Sequence, residues 1–196
     1  MTAVRERRKL VARRTLPLFV RLGYDKVSFQ DISEATGVPR TAIYRYYKTK
    51  REIFDAAILE VILDVRRQLA RIRVQRGLSA IDRLRAINEA TLKMLFRERD
   101  FVSVILNFVL SKIASGEHMA PRVEEFTGGL KHTFREVIEE GIEDGSVLKT
   151  VNVEIMSELL FVNVESTGCK MLLATETSPK EAIERSDALI AVMKAS

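Results

Sequence analysis

The stretch SFQDISEATGVPRTAIYRYYKTK, residues 28–50, decides how the chain begins to fold. Ser28 is a favourable N-cap, and Asp31 places an acid in the first turn of a helix that Gly37 ends. Pro39 suits the start of a second helix, because its missing N–H has no intrahelical partner there. Two short helices joined by a tight glycine turn form a helix-turn-helix, although ordinary helical hairpins share this pattern.

The second of these helices predicts a surface that reads DNA. Residues 38–47 as a helix place Arg40, Thr41 and Tyr44 on one side, opposite the apolar Ile43. Arginine donates two hydrogen bonds to guanine, and the threonine methyl contacts thymine. Tyrosine hydroxyls, serine at a helix start and lysines near another start can hold phosphates. The residues predicted to contact DNA are Ser28, Arg40, Thr41, Tyr44, Tyr46, Lys48 and Lys50.

Charge is distributed unevenly along the chain. Residues 1–51 contain 13 Lys and Arg against 4 Asp and Glu, a balance of +9, whereas the remaining residues carry −4. A basic N-terminal part on a mildly acidic body is typical of nucleic-acid binding. A solvated basic helix is the alternative. A membrane-surface helix fits less well, because Pro17 interrupts it and the cations do not lie opposite one apolar face.

Composition indicates an all-helical globular protein. The 196 residues are 46% hydrophobic and 30% charged, with few glycines and prolines. Cys169 is the single cysteine, so no internal disulfide is expected. No apolar run resembles a signal peptide or reaches the roughly 18 residues of a membrane span, which favours a cytoplasmic protein. His118 and His132 have no metal-site spacing, and no catalytic constellation is evident. The sequence therefore predicts neither metal nor cofactor, and no enzyme activity.

A longer stretch, GYDKVSFQDISEATGVPRTAIYRYYKTKREIFDAAI at residues 23–58, resembles the tetracycline-repressor (TetR) family of bacterial transcription regulators. Three parts of the family's pattern recur at fixed spacing. The matching residues are Leu18, Phe19 and Gly23, then Ile32, Gly37 and Val38, then Ile43, Tyr44, Tyr46, Lys48, Lys50 and Phe54. Tyr47 stands where the family usually has a buried phenylalanine, so its hydroxyl needs a partner or an exposed edge.

The resemblance implies the domain organisation and the function. It implies an all-α protein of about nine helices, with a helix-turn-helix DNA-binding domain at 1–50 and a helical ligand-binding and dimerisation domain at 51–196. A homodimeric repressor would bind a palindromic operator and leave it when a small, largely apolar effector binds. Two alternatives stay open: a ligand-independent DNA-binding protein with a filled core, and a helical enzyme.

The body supplies candidates for the two remaining roles. Apolar residues with a few polar groups are the usual lining of a ligand pocket, although phenylalanines at helical spacing also form plain core. Residues 152–175 are apolar on more than one side, which favours burial against a partner as well as within the chain, unless the helix is central in a monomeric core. The ligand candidates are Phe96, Phe101, Asn107, Phe108, Phe126, Phe134, Asn163 and Thr167. The interface candidates are Leu160, Val164, Gly168, Leu172, Leu189 and Met193.

Overall fold

The computed structural model describes residues 2–75, 77–114, 116, 121–175 and 178–195. Nine helices occupy these residues, and the prediction of an all-α fold is confirmed. The helices are α1 (Thr2–Leu22), α2 (Phe29–Thr36), α3 (Arg40–Tyr46), α4 (Lys50–Arg73), α5 (Ala80–Arg97), α6 (Arg99–Ala114), α7 (Pro121–Asp144), α8 (Val153–Leu172) and α9 (Lys180–Ala191). None of the described helices combines the length and apolarity that crossing a membrane requires.

Two compact units divide the chain. The first comprises Met1–Asp64 and Asp100–Arg122, and the second comprises Val65–Arg99 and Val123–Ser196. The helix α4 therefore begins in the first unit and ends in the second. This division follows packing, whereas the predicted boundary between residues 50 and 51 separates two functions and stays a prediction.

The ends of α2 are fixed by local hydrogen bonds. Ser28 Oγ accepts the Asp31 N–H at 3.2 Å, and the Asp31 carboxylate accepts the Ser28 N–H at 2.8 Å, which completes a capping box. The hydroxyl and backbone N–H of Ser28 lower the pKa of Asp31 by hydrogen bonding to its charged form. At the other end Gly37 has φ of 68°, a left-handed conformation that glycine adopts without strain.

Aromatic rings form the centre of the first unit. Phe54 lies 5.0 Å from Phe19 and 4.6 Å from Phe108 between ring centroids, and Tyr24 lies 5.2 Å from Phe108. These pairs fall within the range of favourable ring contacts. The helix α1 continues through Pro17, and it packs against both α2 and α3. The rings thereby hold the end of α1 and the middle of α6 beside the first turns of α4.

In the second unit, α5, α8 and α9 pack against one another. Leu84, Ile87, Leu160 and Ile190 are fully buried there. The chain after α9 pairs with the connection between α7 and α8, where the Leu148 N–H donates to the carbonyl of Met193 at 2.9 Å.

Gly141 on α7 allows a close approach in the second unit. A Cβ at this position would lie 2.5 Å from a methyl of Val147 and 2.7 Å from Cβ of Ala80. Both distances are shorter than van der Waals contact, so the packing requires glycine.

Candidate nucleic-acid interface

The helix α3 has two distinct faces. Ile43 is fully buried, whereas Arg40, Thr41 and Tyr44 are exposed, as the helical spacing predicts. The seven-residue helix α3 packs on α1 and α2 through its buried side, and its opposite side faces solvent. The contact of the exposed residues with DNA stays a prediction, but their side chains are available for it.

Tyr44 is held in place by a neighbouring ring. Its side chain is 40% exposed and stacks on Phe29 of α2, with centroids 4.3 Å apart and planes 16° from parallel. The Lys48 ammonium donates to the Tyr44 carbonyl at 3.2 Å. Tyr46 is half-buried. The stacked ring presents its hydroxyl with little conformational freedom, which reduces the entropy lost on binding.

The Tyr47 hydroxyl has the partner that its burial demands. Tyr47 is 2% exposed, and its hydroxyl donates to the Arg8 carbonyl at 2.9 Å. The Arg8 guanidinium lies 4.9 Å from the centroid of the same ring. The end of α3 is therefore fixed to the N-terminal half of α1.

Like Lys48, the other two predicted phosphate ligands already have partners within the chain. The Ser28 hydroxyl donates to the Asp31 carboxylate at 2.7 Å. The Lys50 ammonium donates to the Asp25 carbonyl at 2.9 Å and lies 4.6 Å from the Tyr24 ring. A phosphate at either position would replace or share these bonds, because each donor has limited hydrogen-bonding capacity.

The predicted DNA-binding set omits Arg45. This residue lies four positions after Thr41, so it shares the outer face of α3, and its side chain is exposed. The spacing that selected Arg40, Thr41 and Tyr44 contained the signal for Arg45 as well.

The predicted ligand residues lie in different places. Asn107 and Phe108 line a cleft of about 370 Å³ in the first unit, between the end of α1 and α6. Phe101 is buried on α6, Phe96 is half-buried on α5, and Phe134 is fully buried on α7. The side chain of Phe126 lies outside the described residues.

Asn163 and Thr167 instead join α8 to α9. The Asn163 amide donates to the Ala182 carbonyl at 3.1 Å and to Ser186 Oγ at 2.5 Å, and it accepts from Arg185 at 3.1 Å. Thr167 donates to the Asn163 carbonyl and also accepts from Arg185. Both the nitrogen and the oxygen of the Asn163 side-chain amide thus have partners inside the chain, so this polar residue connects α8 to α9.

The apolar surface of α8 differs from the predicted interface set. Leu160 and Met193 are fully buried within the chain and Val164 is 6% exposed, so these three offer a partner almost no surface. Gly168 is buried, and Leu172 and Leu189 are half-buried. A different stripe on α8 is exposed. The predicted interface set leaves it out, although its spacing of four and three residues is helical. The stripe consists of Ile155, Leu159 and Val162, which are 55%, 40% and 43% exposed.

Comparison with known proteins agrees with this architecture. Residues 13–57 match the profile of the family described as bacterial regulatory proteins, tetR family. No curated protein matches the chain in sequence. Within the described residues no three His, Cys, Asp or Glu side chains are grouped as a metal site would require.

Solved structures have the same fold over nearly the whole chain. A TetR transcription regulator from Haloarcula marismortui is 16% identical, with a TM-score of 0.84 over 97% of this chain and 99% of its own. One from Chloroflexus aurantiacus is 21% identical, with 0.81 over 99% and 98%. The fatty acid degradation regulator FadR from Bacillus halodurans is 15% identical, with 0.74 over 93% of each chain. The chain thus resembles the TetR family, in sequence over residues 13–57 and in fold over almost its full length.

Proposed function

We propose that this chain is a transcription regulator that represses its target by binding a palindromic operator as a homodimer. The observation that carries the proposal is the arrangement of α3, where buried Ile43 and Tyr47 anchor a helix that exposes Arg40, Thr41 and Tyr44. A recognition helix in the major groove reads base edges through residues near its N-terminus. Such a regulator acts in the compartment that holds the DNA, which for a bacterial cell is the cytoplasm.

The residues of this surface have distinct chemical roles in the proposal. Arg40 donates two hydrogen bonds to a guanine, and Thr41 contacts a thymine methyl. Tyr44 and Tyr46 direct hydroxyls toward phosphate or a base edge. Lys48 and Lys50 contact phosphates and so add affinity without sequence preference.

The exposed stripe on α8 supports dimerisation. Ile155, Leu159 and Val162 present apolar side chains along one side of the helix, whose opposite side is already buried on α5 and α9. Pairing the stripe with its copy would remove this surface from water and place two recognition helices on one DNA. Half-sites of the operator would then lie about 34 Å apart, or a multiple of that distance.

A small, largely apolar effector is the second part of the proposal. The cleft that contains Asn107 and Phe108 has a volume of about 370 Å³, within the roughly 300–1,000 Å³ of small-molecule sites. Its lining combines apolar Val104 and Phe108 with polar Ser103 and Asn107. FadR from Bacillus halodurans is described as a regulator of fatty acid degradation, which makes fatty acids sensible first probes for this chain.

Selection of bound sequences from random duplexes tests the proposal. We expect enrichment of one palindromic site, and we expect Arg40→Ala to relax the preference at one base position of each half-site. The matched control is Arg97→Ala, since this arginine is exposed on α5 far along the chain from α3. A wild type that enriches no sequence would contradict the proposal and favour the helical-enzyme alternative. Operator binding that no apolar compound alters would favour a ligand-independent DNA-binding protein.

A further inference from the structure

The N-terminal basic segment, residues 3–9, carries cations that make few contacts with the rest of the chain. It contains Arg5, Arg7, Arg8 and Lys9 against the single acid Glu6, a balance of +3. The three arginines are exposed, and Lys9 is half-buried. The segment precedes residues 13–57, to which the family profile extends.

Other cations of α1 are engaged in the fold. Arg13 pairs with Asp64 at 2.8 Å, and Arg14 donates to the Thr36 carbonyl at 3.1 Å. Within the described part of the chain, by contrast, Arg5, Arg7 and Lys9 make neither a hydrogen bond nor an ion pair. The basic side chains of α1 thus separate into a structural group and a group that is free to bind something else.

The acids of α4 across the adjoining groove already contact other groups. Arg5 and Lys9 border a groove whose other side, on α4, includes Glu52, Asp55 and Glu60, and Glu60 lies 3.4 Å from Arg13. The Glu52 carboxylate accepts the Lys48 N–H at 2.9 Å, and Asp55 pairs with Arg51 at 2.8 Å. Like charges four residues apart, such as Arg5 and Lys9, destabilise a helix. Arg5, Arg7 and Lys9 therefore have no ion-pair partner among the described residues, and a polyanion can supply one.

The position of Arg8 indicates which polyanion fits. Arg8 contacts Tyr47 both through its carbonyl and through its guanidinium, so the N-terminal basic segment lies at the C-terminal end of α3. Tyr47 itself connects Tyr46 to Lys48, both of which the proposed function places at phosphates.

We propose that the N-terminal basic segment is a second DNA-contacting surface, in which Arg5 and Arg7 bind phosphates flanking each operator half-site. This inference rests on the proposed function, because it presupposes that α3 lies in the major groove. The contact neutralises backbone charge and reads no bases. It increases the affinity for all duplexes and leaves sequence preference to α3.

The test is the salt dependence of binding to a long random-sequence duplex and to the selected operator. Each phosphate contact contributes a slope of about −0.9 to the logarithm of affinity against the logarithm of salt concentration. The double variant Arg5→Ala, Arg7→Ala should therefore make this negative slope shallower by about 1.8 for each bound subunit. Over a fourfold increase in salt, the wild type should lose about tenfold more affinity per subunit than the variant.

Controls separate this inference from the proposed function. The variant Lys93→Ala, Arg97→Ala removes the same charge from an exposed face of α5 and should keep the wild-type slope. The variant Arg5→Lys, Arg7→Lys keeps the charge and should also keep the slope. Helicity measured by circular dichroism should be equal in all of these proteins.

The outcomes are distinct. An unchanged slope in Arg5→Ala, Arg7→Ala overturns the inference while wild-type operator binding still supports the proposed function. A wild type that binds neither duplex overturns both. Equal DNA binding by wild type and variant, together with vesicles of phosphatidylglycerol and phosphatidylcholine that bind only the wild type, would assign the segment to a membrane surface instead.

Discussion

At the scale of single residues, Tyr47 shows how a polar group enters the core of the first unit. Its ring fills a buried position, and its hydroxyl reaches the Arg8 carbonyl on α1. Burial of a hydroxyl without a partner is costly, so this bond allows a tyrosine where the TetR pattern usually has a phenylalanine. The same bond fixes the end of α3 relative to α1.

Replacement of Tyr47 by phenylalanine tests this interpretation. We expect Tyr47→Phe to lower the free energy of unfolding by about 0.5–1.5 kcal/mol, since it removes one hydrogen bond and keeps the ring. Denaturant unfolding followed by circular dichroism measures the change. Tyr46→Phe, at the neighbouring half-buried position, is the control and should be close to wild type. A Tyr47→Phe protein as stable as wild type would show that the hydrogen bond contributes nothing.

The outer face of α3 gives a second residue-scale prediction. Arg40→Ala should weaken operator binding by about 1–3 kcal/mol and relax the preference at one base position. Lys50→Ala should instead weaken binding to all sequences alike and lower the salt slope by about one unit. Titration of labelled duplexes at several salt concentrations distinguishes the two effects. Wild-type affinity and specificity in both Arg40→Ala and Tyr44→Ala would exclude α3 as the recognition helix.

Residue types and spacing predicted which side of α3 is buried, because seven residues make only two turns and the apolar positions are few. They did not predict the partners of Lys50 or Asn163. Lys50 contacts Asp25, which precedes it by 25 residues, and Asn163 contacts Ser186, which follows it by 23. Such pairs depend on how helices cross, and periodicity within one helix contains no information on crossing.

At the scale of elements, α8 is apolar on two sides for two different reasons. Leu160 lies in the core with α5 and α9, whereas its neighbour Leu159 is 40% exposed. The sequence interpretation recognised the width of the apolar surface, but it selected the core side as the interface. Both sides consist of similar aliphatic residues, so composition cannot distinguish them, and only the packing of α5 and α9 shows which side remains.

Adjacent substitutions on α8 should therefore have opposite effects. Leu159→Glu should weaken self-association at least about a hundredfold, roughly 2.7 kcal/mol, because it places an unpaired charge in the proposed interface. Leu160→Ala should leave self-association largely intact and lower the free energy of unfolding by about 2–5 kcal/mol. Sedimentation velocity over a range of concentrations measures the first effect, and denaturant unfolding measures the second. A Leu159→Glu protein that associates like wild type would place the interface elsewhere.

Ion pairs join α4, α5 and α7 in the second unit. Arg73 contacts Glu136 at 2.6 Å and Glu140 at 3.0 Å, and Arg83 contacts Glu140 at 2.6 Å. Burial opposes ionisation of Glu140, but the hydrogen bonds from Arg73 and Arg83 outweigh it and lower the pKa of this carboxyl. The hydrogen bond that Arg73 donates to Glu140 raises the pKa of Arg73.

Because the pKa of Glu140 is lowered in the folded protein, acidification should reduce the stability of the fold. The stabilisation from Glu140 is complete above the pKa that this carboxyl has in the unfolded chain, and it is lost as pH falls through the lower folded-state pKa. Glu140→Gln should therefore destabilise the protein at neutral pH and reduce the loss of stability on acidification. Glu139→Gln, exposed at the adjacent position, is the control. Parallel stability profiles for wild type and Glu140→Gln from neutral to acidic pH would contradict the assignment.

At the scale of the whole molecule, the helical architecture was predictable because helix boundaries were marked by caps, glycines and apolar periodicity. The predicted ligand residues do not lie together as a single group, and their role stays a prediction. Asn107 and Phe108 share a cleft in the first unit, whereas Asn163 and Thr167 are used between α8 and α9 in the second. A pocket is the space that side chains leave unfilled, so its lining depends on the full three-dimensional packing.

Release of the operator on effector binding has a quantitative consequence for the dimer. A compound that lowers operator affinity a hundredfold must be coupled to DNA binding by about 2.7 kcal/mol. Thermodynamic reciprocity then requires operator DNA to weaken binding of that compound by the same factor. Calorimetry with decanoate as a first probe, with and without operator, measures both affinities. Equal affinities in the two titrations would exclude release of the operator by that compound.

The packing of α5 against α8 and α9 has a consequence for synthesis of the chain. About eighty residues separate the end of α5 from the start of α9, so α5 leaves the ribosome long before its partners exist. At a synthesis rate of roughly 5–20 residues per second, about 4–16 s pass between completion of α5 and the start of α9. The contacts among α1, α2 and α3 can form almost as soon as these helices are made. The contacts of α5 with α8 and α9 are therefore completed later in translation than those among α1, α2 and α3.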